Sequence, residues 1–152
     1  MMLTQLLQIL ASTIGSLSFA ILFNIRGNKL IAVAVGGGCG WALFLFLNHM
    51  IESETISYFV VAMVISLYAE LMARVLKAPT TIFIAPSLIP LVPGASLYYT
   101  MVYALEGDSN LFTDKALSTL KLASALAVGV VTSAVLMKIL TQVFQMIHKK
   151  AP

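Results

Sequence analysis

The feature that most constrains the fold of this chain is a series of long uncharged stretches separated by short charged turns. Residues 1–25 and 30–51 contain no Asp, Glu, Lys or Arg, and neither does the run 78–105. A helix needs about 20 apolar residues to cross the hydrocarbon core of a bilayer, which is ~30 Å thick. These stretches are therefore typical of transmembrane helices.

The composition identifies lipid as the solvent for most of the surface. Of the 152 residues, 60% are hydrophobic and only 10% are charged, whereas a soluble domain carries about 25% charged residues. So few charges cannot cover a soluble fold of this size. We expect a single transmembrane domain over 1–152, surrounded by the lipid bilayer.

Hydropathy predicts an all-α, polytopic membrane bundle of about five transmembrane helices, the fourth broken by prolines. The approximate helices are 2–25, 30–50, 56–76, 79–105 (broken near 90–94) and 116–144. The third is interrupted only by Glu70 and Arg74, close to its end.

The charges between the apolar stretches alternate in sign along the chain. Basic residues follow or end the first, third and fifth stretches: Arg26, Lys29, Arg74, Lys77, Lys138, Lys149 and Lys150. Acidic residues occupy the other two turns, with Lys115 as the exception: Glu52, Glu54, Glu106, Asp108 and Asp114. By the positive-inside rule, this pattern predicts five crossings of the cell (inner) membrane, with the N-terminus outside and the C-terminus in the cytoplasm.

The fourth stretch has too many prolines for a regular helix. Proline lacks an N–H and clashes with the carbonyl four residues earlier, and Pro86, Pro90 and Pro93 fall within about two turns. As one helix, the uncharged run 78–105 would extend about 42 Å, beyond the ~30 Å core. Two half-helices joined by an unwound region at 90–94 would fit.

Broken helices in transporters bind substrates where their ends meet the unwound backbone. The second half-helix would present free N–H groups and a positive dipole end near Ala95 and Ser96. We therefore predict a substrate-binding region of seven residues: Pro86, Ser87, Pro90, Pro93, Gly94, Ser96 and Tyr98. The alternative is a proline-kinked helix that only packs against its neighbours, with Tyr98 in the interfacial aromatic belt.

The run 86–94 (PSLIPLVPG), followed by an aromatic-rich segment and Gly107-Asp108, resembles the C-terminal membrane domain of the threonine/serine exporter family. The resemblance covers most of the chain, and the three prolines and Gly94 carry its specific part. It implies the small subunit of a secondary exporter of threonine and serine, with a larger five-helix membrane subunit as partner. A subunit of a dicarboxylate (succinate) exporter is the alternative within the family.

The predicted topology adds an independent point. Five helices with the N-terminus outside are what the second half of an inverted repeat requires. Inverted repeats place the substrate site at their interface, near the midplane of the membrane. The chain would then hold half of a site for a small amino or carboxylic acid.

Glu70 is the only acid well inside a predicted helix, and we take it as the candidate for proton coupling. Intramembrane carboxylates are costly and tend to face a cavity or a partner. The alternative is an i,i+4 ion pair with Arg74. Lys121 is a weaker candidate for a substrate contact, because such a lysine more often snorkels to the interface.

Small residues spaced four apart predict close helix packing in two of the apolar helices. They are Gly36 and Gly40 in the second helix, and Ala125 and Gly129 in the fifth. The same surfaces would also suit a homo-oligomer.

Several function classes are not expected. The sequence has no nucleophile–base pair, phosphate loop or metal-ligand spacing, so we expect no enzymatic activity, catalytic residue, metal or cofactor. The net charge is +3, but the basic residues are scattered at helix ends and form no stripe for nucleic acid. Beside the exporter, two functions stay open: a non-transporting membrane interaction or assembly protein, and a homo-oligomeric channel.

Overall fold

The computed structural model describes residues 2–149 of the chain. Met1 and residues 150–152, including the Lys150 of the charge pattern, lie outside the described residues, as do the side chains of residues 144, 145 and 147–149. The helices are α1 (Met2–Leu22), α2 (Asn28–Ile51), α3 (Glu54–Val75), α4 (Thr81–Leu88), α5 (Gly94–Glu106) and α6 (Ser109–Lys149). A 3-10 turn at Ile89–Leu91 follows α4.

Four of these helices, α1, α2, α3 and α6, are long and apolar enough to cross a membrane. Helices α4 and α5 have only 8 and 13 residues. Together with the 3-10 turn they pass the same test as a pair bent by 55°. Residues 2–149 contain no strand. The prediction of an all-α polytopic membrane bundle with a broken fourth segment is therefore confirmed.

Helices α3 and α6 pack side by side and run in the same direction. Near one end of the pair, Arg74 Nη2 donates a hydrogen bond to Thr141 Oγ1 (2.8 Å). Closer to the start of both helices, a Cβ added to Gly129 of α6 would lie 2.9 Å from the Cβ of Ala62 of α3. The residue numbers differ by 67 in both pairs. The two helices therefore advance together along the bundle.

This parallel pair determines how often the chain crosses the bundle. Helices α3 and α6 can point the same way only if the segment between them returns the chain to the side where α3 begins. A re-entrant loop would leave the chain where α3 ends and make α6 antiparallel to α3. The bent α4–α5 pair is therefore one broken span, the fifth beside the four unbroken ones.

Two apolar clusters fill the bundle, one toward each end. The first surrounds Phe83 of α4 and includes residues of α1, α2 and α3: Ala20, Ala32, Val33, Ala69 and Ala73. The second surrounds Leu91 of the 3-10 turn and includes residues of α2, α3 and α6: Phe44, Tyr58, Val61, Ile65, Leu122 and Ala125. Helix α4 and the turn thus run through the centre of the bundle, from the end of α3 toward its start.

Helix α6 spans Ser109–Lys149 and is longer than the sequence-based range 116–144. The Asp108 carboxylate accepts hydrogen bonds from the backbone nitrogens of Asn110 (3.2 Å) and Leu111 (3.1 Å). An aspartate at this position satisfies N–H groups that have no partner inside the helix. The helix therefore starts at the cap, in a polar segment that hydropathy does not include.

The Gly129→Ala substitution should loosen the α3–α6 pair. The added Cβ would lie 2.6 Å from the carbonyl oxygen of Phe59 and 3.2 Å from the nitrogen of Met63. Backbone atoms cannot move aside unless the helices separate, so we expect a loss of about 1–3 kcal/mol of stability. The measurement is the midpoint of thermal unfolding in detergent by circular dichroism. The control is Gly15→Ala, whose Cβ meets nothing within 4 Å; equal midpoints would contradict the close approach.

Candidate functional site

The first half of the broken span is anchored inside the bundle by one face of α4. Phe83, Pro86 and Ser87 are buried there. The Ser87 hydroxyl donates a hydrogen bond to the carbonyl oxygen of Val33 on α2 (3.3 Å). Because this buried hydroxyl has a protein acceptor, α4 can carry it into the core without stranding a polar group.

Gly36 lets α4 approach α2 closely. A Cβ added there would lie 2.7 Å from Ser87 Oγ and 3.0 Å from Tyr68 Cε1. The Tyr68 hydroxyl donates to the carbonyl oxygen of Ala32 (2.8 Å), which ties α3 to α2 one turn away. We call the contact among Gly36, Tyr68 and Ser87 the α2–α3–α4 junction.

After α4 the chain passes through a tight turn that provides donors where proline cannot. In a regular helix the carbonyl of Ile89 would face Pro93, which has no N–H. Here Val92 N donates to Ile89 O (3.1 Å), and Gly94 N donates to Val92 O (2.6 Å). The turn therefore provides donors for the carbonyl oxygens of Ile89 and Val92.

The start of α5 presents backbone donors. Its first helical bond runs from Leu97 N to Pro93 O (3.0 Å), so the N–H groups of Ala95 and Ser96 come before it. No side chain caps this end. A helix N-terminus in this state carries free N–H groups and a partial positive charge.

Helix α5 lies on the outside of the bundle. None of its residues is buried, and it packs against α6. Gly94 is exposed, and a Cβ added to it would meet nothing within 4 Å. Tyr98 is 63% exposed, with its ring edge-on to Tyr99 at a centroid distance of 5.4 Å. The start of α5 therefore opens to the surroundings of the chain.

The residues predicted to bind substrate fall into two groups. Pro86 and Ser87 are buried and lie behind the break. The second group is exposed or half-buried around the start of α5: Pro90, Pro93, Gly94, Ser96 and Tyr98. In this chain the second group can touch a ligand, whereas the first supports the turn that positions it.

Glu70 is half-buried on α3. It precedes Arg74 by four residues, about 6 Å along the helix. Arg74, the alternative partner considered from the sequence, donates a hydrogen bond to Thr141 on α6. Glu70 therefore lies toward the end of the span that Arg74 marks, and its role in proton coupling stays a prediction.

The small residues predicted for packing lie at helix contacts. A Cβ added to Gly40 would meet the Ile65 side chain of α3. Ala125 belongs to the apolar cluster around Leu91, and Gly129 touches the backbone of α3.

Sequence reasoning missed Tyr68 and Thr141. The available signal for Tyr68 was a tyrosine deep in an apolar helix, because its hydroxyl must find an acceptor there. Nothing in the sequence indicated Thr141, since its contact with Arg74 depends on the register between α3 and α6.

Residues 8–136 match the family described as Threonine/Serine exporter, ThrE. The chain belongs to the threonine/serine exporter family. The match includes the α2–α3–α4 junction, the break and the start of α5. The resemblance predicted from the proline motif is thus confirmed, and the chain is an exporter-type membrane protein. No solved structure matches this exporter-family chain.

The α2–α3–α4 junction predicts a compensating pair of substitutions. Gly36→Ala should lower the unfolding midpoint, because its Cβ would press on Ser87 Oγ at 2.7 Å. Ser87→Ala removes that oxygen and leaves the Ser87 Cβ at 3.3 Å. The double variant should therefore lose less stability than the sum of the two single variants, by about 0.5–3 kcal/mol of coupling. Strict additivity in the double-mutant cycle would show that α4 does not pack on Gly36.

Proposed function

We propose that this chain is the small subunit of a secondary exporter of threonine and serine, and that it acts with a larger five-helix membrane subunit. One observation carries the proposal: a member of the threonine/serine exporter family has a broken span whose second half starts on an exposed face. Transporter sites of this kind lie between two halves. This chain would supply one half.

The start of α5 suits the carboxylate of an amino acid. The N–H groups of Ala95 and Ser96, with the positive end of the helix dipole, attract an anionic group. The same donors fit either carboxylate of succinate. Groups on the other subunit would then select the substrate by its ammonium and hydroxyl groups, and the choice of threonine and serine rests on the family.

We place the chain in the cell inner membrane with its N-terminus outside and its C-terminus in the cytoplasm. Five crossings put the two termini on opposite sides. Arg26, Lys29 and Arg74 lie at the end of the bundle that the positive-inside rule assigns to the cytoplasm. A partner of opposite orientation would complete an inverted repeat around the break.

Efflux from vesicles tests the function. Vesicles that contain both subunits and are loaded with labelled threonine, serine or succinate should release threonine and serine faster than protein-free vesicles. Release of succinate alone would make this a dicarboxylate exporter. Release by this chain alone would favour the homo-oligomeric channel. If every acid leaves at the protein-free rate, the exporter proposal fails.

Gly94→Ala separates transport from folding. The added Cβ meets nothing in this chain within 4 Å, so we expect the unfolding midpoint to stay unchanged. If substrate approaches this backbone, the export rate should fall several-fold. Gly15→Ala, which is equally unobstructed, is the control and should export normally. Wild-type export by the Gly94 variant would remove the start of α5 from the site.

Glu70→Gln tests proton coupling. The amide keeps the size of the side chain and cannot carry the proton, so export should lose its dependence on the proton gradient. Glu106→Gln on the exposed end of α5 is the matched control. An unchanged response to the gradient in the Glu70 variant would exclude it from the coupling mechanism.

A further inference from the structure

Helix α6 extends beyond the level at which its neighbour α3 begins. Glu54 and Arg74 are separated by about 30 Å along α3, which matches the hydrocarbon thickness. Contacting residues of α3 and α6 differ by 67 in residue number, so Glu54 and Arg74 lie level with Lys121 and Thr141 of α6. Residues 109–120 then continue for about 18 Å beyond the level of Glu54.

Helix α5 accompanies this extension as the second arm of a helical hairpin. Thr100 Oγ1 lies 3.3 Å from Thr119 Oγ1, so α5 beyond Thr100 rises beside the projecting part of α6. Gly107 ends α5 with φ +77°, a left-handed conformation that glycine adopts without strain. We call residues 100–119 the outer hairpin.

One face of α5 carries an uncovered apolar stripe. Its other members lie three or four residues from Met101, and the exposed fractions are Leu97 52%, Tyr98 63%, Met101 62% and Leu105 87%. The stripe begins next to the exposed Gly94 at the break and continues along α5 onto the outer hairpin. Met101 and Leu105 follow Thr100 and therefore lie beyond the level of Glu54.

Lipid cannot cover the part of the stripe on the outer hairpin. Asp114 and Lys115 are exposed on the same hairpin, and charged groups of this kind belong to the aqueous phase. A large apolar side chain that stays exposed to water does not gain the stabilisation that burial would give. Contiguous exposed apolar side chains therefore mark interaction sites. A protein surface is the cover that remains for Met101 and Leu105.

We propose that the stripe of Leu97, Tyr98, Met101 and Leu105 is the docking surface for the larger subunit of the exporter, which would present an apolar helical surface to it. This inference rests on the proposed function. The stripe starts at the N-terminus of α5, so a partner that covers it also closes the open side of the substrate site. A site between two halves requires contact at this place.

A second copy of this chain fits the stripe less well. Two copies that met along this face would bring the N-terminal ends of their α5 helices together. Both ends carry partial positive charge, and like charges repel. The other half of the exporter is therefore the occupant that we test.

Cysteine labelling in intact cells tests the docking surface. Cys39 is the lone cysteine, so Cys39→Ser provides a background in which Leu105→Cys and Asp114→Cys each carry one thiol. The probe is a membrane-impermeant maleimide, applied with and without co-expression of the five-helix subunit that we propose as the partner. We expect Leu105→Cys to be labelled without the partner and protected several-fold with it. Asp114→Cys, exposed on the same hairpin, should be labelled in both cases.

Every other pattern overturns the proposal. Labelling of Leu105→Cys in both cases means that the partner docks elsewhere, and protection of both thiols means that the cover is not specific to the stripe. If Leu105→Cys is not labelled without the partner, either lipid or a second copy of this chain covers Leu105. A disulfide between two Leu105→Cys chains after oxidation would identify the second copy as the cover. Threonine efflux from the same cells is measured separately. Efflux without protection would contradict the docking surface and leave the exporter proposal standing. Protection without efflux would contradict the exporter proposal and leave the docking surface standing.

Discussion

The parallel contact between α3 and α6 is the constraint on which the rest of the structure depends. Two neighbouring helices can run in the same direction only if the chain between them crosses back. That return runs through the centre of the bundle, because Phe83 and Leu91 lie in its two apolar clusters. The prolines then set the shape of the return, since a regular helix cannot pass three of them. The exposed start of α5 is a consequence of both requirements.

Close packing in lipid explains why small residues hold these helices together. Lipid tails are as apolar as leucine, so helices associate in a bilayer through van der Waals contact and interhelical hydrogen bonds. Ser12 Oγ donates to the Gly37 carbonyl (2.9 Å), and Ser87 Oγ donates to the Val33 carbonyl. Gly36 leaves room for the Ser87 side chain, and Gly37 leaves room for the side chain of Ser16, one turn after Ser12.

Much of the fold could be predicted from the sequence, because hydropathy and proline chemistry are local properties. The uncharged runs and Pro86, Pro90 and Pro93 were sufficient for an all-helical bundle with a broken fourth span. The start of α6 could not be obtained from hydropathy, since Asp108 caps a polar segment. The division of the site residues was also hidden: Ser87 is buried because its face of α4 meets Gly36, whereas Gly94 is exposed because α5 lies on the outside of the bundle. Such facts belong to the register between helices, which composition does not encode.

The length of α6 has a mechanical consequence. Gly129, at which α6 lies close to the backbone of α3, is 20 residues from Ser109 and 20 residues from Lys149. This helix is also bound to α3 at Thr141, whose hydroxyl accepts a hydrogen bond from Arg74. A tilt of about 5° around Gly129 would displace Ser109 by roughly 2.6 Å, given an arm of about 30 Å. The same tilt would move Thr141 by roughly 1.6 Å, given an arm of about 18 Å, so the outer end of α6 can swing only if α3 moves with it or the Arg74–Thr141 hydrogen bond breaks.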